Sequence, residues 1–135
     1  MDTRSKILTL AAALEIGERP ITIVIGTFDV LRAAHARELE EARTGAARLL
    51  VVVLPRAVEL LPQRARAELI AALRVVDYVV PAGPNEVDAL IHALAPTQVV
   101  RLEEADEFRC RQLREEILGR QNHIDAGTLR KTRRK

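Results

Sequence analysis

At 135 residues with a formal net charge of +2, the chain is sized for one domain with a single sizeable core. Hydrophobic residues at 48% and charged ones at 30% fit a soluble globular protein, and the longest apolar runs, such as 49–54, are far too short to span a bilayer. A single cysteine, Cys110, excludes an internal disulfide, and the N-terminal residues lack the long apolar core of a signal peptide, so the expected compartment is the cytoplasm, with no membrane partner.

Residues 5–15 read as a short helix with Ile7, Leu8, Leu10, Ala11 and Leu14 on one face. Gly17 ends it, and Pro20 precedes a β-branched run, 21–25, that reads as a buried strand. Gly26 and Thr27 break that run. Asp29 is placed to cap a helix over 33–43, whose inner side carries Leu39 and Ala42. A second strand, 49–54, is wholly apolar, as expected when both faces are covered. Residues 55–62 read as a connection ended by Pro62. Residues 63–74 form a helix with Ala65, Leu69, Ile70 and Leu73 as its apolar stripe and Arg64, Arg66 and Glu68 on the surface. A short strand at 77–80, a turn at 81–84 and a helix at 86–94 capped by Asn85 follow, then a fourth strand at 98–102. A charged helix over about 106–118 offers Phe108, Leu113, Ile117 and Leu118 for packing.

Strand and helix alternate four times, with connections too long for hairpins. The expected fold is a Rossmann-like α/β domain: an open parallel sheet with helices on both faces. It is expected to occupy residues 1–129. Residues 130–135 hold five basic side chains, so the body alone sums to −3 against the total of +2. That basic tail reads as a disordered, solvated end, and without interleaved aromatics nucleic acid is not expected as a partner.

In such a sheet, ligands bind outside the carboxyl ends of the strands. The turn 26–35 lies at the end of the first strand and leads into a helix N-terminus, a natural anion site. Backbone amides of Thr27 and Phe28 stand where they could hold a phosphate. Arg32 and His35, three residues apart, can face one ligand and together neutralise charge on a phosphorus centre. The blander alternative leaves Asp29 as a helix cap only and His35 facing solvent or nearby backbone. No GxGxxG is present, so a dinucleotide fingerprint is absent. His92 reads as structural or solvated, and His123 near Asp125 is too sparse for a metal site, so no metal ligands are assigned. Glu103, Glu104 and Asp106 read as a solvated face.

Gly26-Thr27-Phe28-Asp29-Val30-Leu31 followed by Arg32-Ala33-Ala34-His35 resembles the Gly-Thr-Phe-Asp-x-x-His-x-Gly-His signature of the cytidylyltransferase-like nucleotidyltransferases. In style it is similar to glycerol-3-phosphate cytidylyltransferase and to the domain that adenylylates heptose 1-phosphate. The likeness extends over about residues 6–102, through Glu40-Glu41-Ala42-Arg43, Arg66-Ala67-Glu68 and Val76-Asp77-Tyr78-Val79-Val80. It implies a nucleotidyltransferase fold and transfer of CMP or AMP from CTP or ATP to a phosphorylated sugar or alditol, with Mg²⁺ assisting and pyrophosphate leaving. A homodimer is compatible with it. By the same resemblance Gly26, Thr27, Phe28 and Asp29 outline the nucleotide pocket, and His35 corresponds to the second histidine, which stabilises the transition state. Arg66 falls on the family's Arg-Ala-Glu stretch, where it either serves the site or is a solvent-exposed helix arginine.

The departures from the pattern cluster at the chemistry. Arg32 replaces the first histidine, and Ala34 replaces the glycine that leaves room for the nucleotide against the backbone. Residues 55–62 hold no lysine for the phosphates, and the late Ser/Thr phosphate segment survives at best as Ala126-Gly127-Thr128. Two expectations therefore stand side by side. One is a divergent nucleotidyltransferase with impaired activity. The other is a catalytically degenerate relative kept for ligand binding, regulation or assembly.

Overall fold

The structure is a computed structural model, and it describes residues 2–29, 31–103, 111–113 and 115–119. The chain divides into two compact units, Met1–Glu103 and Glu104–Lys135. In the second, residues 111–113 and 115–119 are helical and expose Leu113, Ile117 and Leu118. The expectations for Glu104, Asp106, Phe108, Cys110, His123, residues 126–128 and the basic tail lie outside the described residues.

The first unit carries four strands: β1 (Ile21–Gly26), β2 (Arg48–Val53), β3 (Tyr78–Pro81) and β4 (Gln98–Arg101). Their order across the sheet is β3-β2-β1-β4, and every pairing is parallel. The helices are α1 (Leu10–Leu14), α2 (Ala33–Arg43), α3 (Gln63–Ala71) and α4 (Pro84–Leu94). This is the Rossmann-like α/β arrangement expected from the alternation of elements.

Side-chain alternation along the strands builds two cores. Val24, Leu49, Val51, Val53 and Val79 pack with Leu39 and Ala42 of α2 and Ala67, Ile70 and Ala71 of α3. Ile21, Ile23, Ile25, Leu50, Val52 and Val80 pack with Ala13 of α1 and Val87, Leu90 and Leu94 of α4. The wholly apolar reading of β2 thus has its cause: each face meets a different helical layer.

Three local expectations change. The helix expected over 5–15 is split into a 3₁₀ turn, Thr3–Lys6, and α1. Between them Ile7 bridges Val79, and the Leu8 amide donates to the Val79 carbonyl at 2.8 Å. Thr9 then caps α1, its hydroxyl accepting from the Ala12 amide at 3.2 Å. The cap of α4 is Gly83 rather than Asn85. Pro84 takes the first helical position, and the Glu86 carboxylate accepts from the Gly83 amide at 3.1 Å. On α3, Leu69 points outward while Arg66 is fully buried.

From β1 the chain runs outward through β2 and β3, then crosses back through α4 to place β4 on the other side of β1. Strand order therefore reverses at β1, with Gly26 paired to Val53 on one side and Ile25 to Arg101 on the other. The crevice beyond the carboxyl end of β1 is the site such a topology provides. Among the described residues no helix is long and apolar enough to cross a membrane.

Candidate functional site

The turn after β1 is held by backbone and side chains far apart in sequence. Phe28 adopts φ 52°, a left-handed conformation that is strained for a bulky residue, and its ring is buried. The ring meets His35 edge-on, with centroids 5.5 Å apart. His35 is the third residue of α2 and is 2% exposed. Its amide donates to the Arg32 carbonyl at 3.0 Å, and its Nδ1 accepts from the Arg32 amide at 3.0 Å. His35 thus closes a capping box in place of the usual Glu or Gln, with Arg32 as N-cap.

That cap sets the chemistry of the ring. A nitrogen accepting a hydrogen bond carries no proton, so the proton of His35 sits on Nε2. The ring is thereby oriented with Nε2 as its donor atom. The first turn of α2 contains no acidic residue, so nothing there offsets the positive end of the helix. Ala34 is half-buried in that same turn. Turn amides, an arginine at the N-cap and an imidazole N–H together suit a phosphate.

Asp29 is not a helix cap. Its buried carboxylate accepts from the Leu60 amide at 2.9 and 3.1 Å and the Leu61 amide at 3.2 Å, and pairs with Arg56 at 2.8 Å. Asp29 therefore clamps the β2–α3 connection, residues 55–62, onto the β1 turn. Burial alone would push its carboxyl up. The two amides and the Arg56 guanidinium outweigh burial and hold it below the ordinary value of 3.8.

Arg66 is not a solvent-exposed helix arginine. Its side chain is 0% exposed, and Nη1 donates to the carbonyls of Thr27 at 2.6 Å and Leu54 at 2.8 Å. Nε donates to the Leu61 carbonyl at 3.0 Å, and Nη2 to the Glu59 carboxylate at 2.6 Å. The guanidinium fork ties together the β1 turn, the end of β2 and the connection. It supports the turn from inside the fold.

The structure brings Gly26, Thr27, Phe28, Asp29, Arg32, Ala34 and His35 to one end of the sheet and puts Arg66 under it. Arg56, Glu59 and the amides of Leu60 and Leu61 escaped the sequence reading, because residues about thirty positions from Asp29 give no local signal of contact with it. Both Asp29 oxygens accept hydrogen bonds within this clamp. Among the described residues there is also no group of three or more His, Cys, Asp or Glu able to hold a metal ion.

The clamp makes stability depend on pH. A carboxyl held below its ordinary value stabilises the fold fully above the unfolded value, and the contribution is lost as pH falls through the folded one. Asp29→Asn should therefore lower unfolding free energy by about 1–3 kcal/mol at neutral pH. The gap between variant and parent should close below the ordinary value of 3.8, as read by urea unfolding at a series of pH values. A gap that is constant with pH would show that the carboxylate charge plays no part.

A profile of the family described as Cytidylyltransferase-like matches residues 23–128. The FAD synthase of Pyrococcus abyssi is 33% identical over 111 residues, covering 75% of this chain and 74% of the relative. The FAD synthase of Thermococcus kodakarensis is 29% identical over 116 residues, covering 80% and 76%. The bifunctional protein HldE of Coxiella burnetii is 31% identical over 112 residues, which is 75% of this chain but 23% of that protein. Among solved structures, the lipopolysaccharide core biosynthesis protein of Thermoplasma volcanium aligns with a TM-score of 0.54 at 22% identity, over 58% of this chain and 70% of that one. This last likeness speaks to the fold.

Proposed function

The chain belongs to the cytidylyltransferase-like family, and from that premise we propose that it binds a nucleoside triphosphate over the carboxyl end of β1 and slowly transfers the nucleotidyl group to a small phosphorylated acceptor. The observation that carries this reading is His35, with Nδ1 occupied by the Arg32 amide and the ring set by Phe28. An oxygen of the acceptor phosphate attacks the α-phosphorus, the bond to the β-phosphate oxygen breaks, and that electron pair leaves with pyrophosphate. Charge grows on the α-phosphate oxygens, and His35 Nε2–H donates to them. Arg32 adds positive charge beside the same oxygens. The name FAD synthase, carried by relatives at 29–33% identity, favours ATP over CTP as the donor. Mg²⁺ would come with the triphosphate, since both Asp29 oxygens are already engaged by Arg56 and the amides of Leu60 and Leu61.

A second reading, a non-catalytic binding, regulatory or assembly protein, is favoured by how the nearby cations are used. Arg56 pairs with Asp29, Arg66 is spent on three carbonyls and Glu59, and residues 55–62 contain no lysine. Fewer cations for the phosphates, together with the Ala34 side chain, are the reason that transfer is proposed to be slow.

Calorimetry with ATP and CTP in Mg²⁺, beside a pyrophosphate-release assay, separates the readings. The transfer reading expects ATP to bind more tightly than CTP, with release above the protein-free rate. Binding without release selects a non-catalytic nucleotide-binding protein, and no binding by either nucleotide overturns transfer and nucleotide binding alike and leaves an assembly role.

A further inference from the structure

The two edges of the sheet are finished differently. At the β3 edge, Ile7 bridges Val79 and the Leu8 amide donates to the Val79 carbonyl at 2.8 Å, so the N-terminal segment lies along the outer strand. At the other edge, among the described residues, β4 pairs with β1 alone. A strand in that position presents backbone N–H and C=O groups on its outer side, a template for one more strand. Beside this edge lies a groove of about 210 Å³, walled by Glu38, Glu41 and Ala42 of α2 and by Gln98, Val100 and Leu102 along β4 and just beyond it.

The chemistry of the walls selects the occupant. Ala42, Val100 and Leu102 pack in the core beneath α2 and give the groove an apolar floor. Glu38 and Glu41, three residues apart on one helix face, give it an acidic wall. Glu41 is exposed and sits in the last turn of α2, where the negative end of the helix adds to its charge. Arg43, the basic residue of that turn, is paired with Asp77 at 3.3 Å. The groove has room for about seven water-sized volumes, enough for one lysine or arginine side chain. Such a side chain lays its alkyl stem on the apolar floor and brings its charge to the carboxylates. An acidic or phosphate-bearing partner meets repulsion at the same wall. We propose that the β4 edge takes an extended, basic peptide segment of a partner protein, which adds as a strand beside β4 and seats one Lys or Arg side chain in the groove. The proposal does not depend on nucleotidyl transfer.

The test follows the fluorescence anisotropy of a labelled Lys-Val-Lys-Val-Lys-Val peptide with the full chain. The comparison peptides are Glu-Val-Glu-Val-Glu-Val and the lysine peptide with its middle valine replaced by proline. The lysine peptide is expected to bind saturably and more weakly as salt rises. The proline peptide, which loses a ladder donor, should bind roughly tenfold more weakly, and the glutamate peptide should not bind. Glu41→Gln, a change at an exposed position that keeps the fold, should lower affinity for the lysine peptide about two- to fivefold. Amide exchange at residues 98–101 should slow in the complex, which loose attraction of a cationic peptide to an acidic surface would not bring about. No binding of the lysine peptide overturns the proposal. Equal affinity for the proline peptide, indifference to Glu41→Gln, or unchanged exchange at 98–101 also overturns it. So does a concentration-dependent dimer that protects 98–101 without peptide, which would make this edge an interface between copies of the chain.

Discussion

His35→Asn is expected to lower pyrophosphate release by about 100- to 1000-fold, the equivalent of about 3–4 kcal/mol of barrier, while leaving the melting temperature nearly unchanged. The asparagine Oδ1 lies where Nδ1 lies, so the box with the Arg32 amide persists. What disappears is the donor at Nε2. His35→Gln offers both groups on one side chain, since its amide oxygen can close the capping box as glutamine ordinarily does and its amide nitrogen can reach toward the Nε2 position. It should retain more activity than His35→Asn and melt close to the parent. If the two variants lost activity in the reverse order, His35 would be a structural cap and not the donor. A His35→Ala variant alone could not decide this, because it removes both functions together.

Arg66→Met is expected to destabilise the protein by about 3–5 kcal/mol, read as a shift of the urea midpoint at constant slope. The methionine fills much of the volume, but the carbonyls of Thr27, Leu54 and Leu61 lose their donor and Glu59 loses its partner. Buried acceptors left unpaired are the expensive outcome, more so than the loss of any one bond. Arg66→Lys should recover only part of the loss, since one ammonium cannot span three carbonyls and a carboxylate in the geometry of the fork. A loss below about 1 kcal/mol for Arg66→Met would mean that water takes over these groups and that the clamp is not structural. Thr27 belongs to the proposed phosphate turn, so ATP affinity should fall in Arg66→Met as well, even though Arg66 is fully buried.

The alternation of elements, the apolar runs of β1 and β2 and the helix at 33–43 were all legible in the chain, because they depend on neighbours a few positions apart. The boundaries of α2 were read correctly to the residue. The turn could be located from Gly26 and Thr27 and its family from Gly26-Thr27-Phe28-Asp29, since that motif is contiguous. Asp29 was misread for the same reason. An aspartate before a helix is locally a good cap, and nothing nearby announces that Arg56, Leu60 and Leu61 will compete for it. Arg66 was assigned to the surface because its neighbours Arg64 and Glu68 are on the surface and arginine is seldom fully buried. Leu69 was placed in the core by the complementary error.

The sequence by itself determined the fold class and the family, because periodicity and a contiguous motif are carried by local spacing. Tertiary structure alone decided how the site's charges are used. Asp29 and Arg66 fasten residues 55–62 to the β1 turn, and His35 is held as an Nε2–H donor by a backbone amide and an aromatic edge. Those assignments arise from a competition among donors and acceptors that only the folded chain brings within 3 Å of one another.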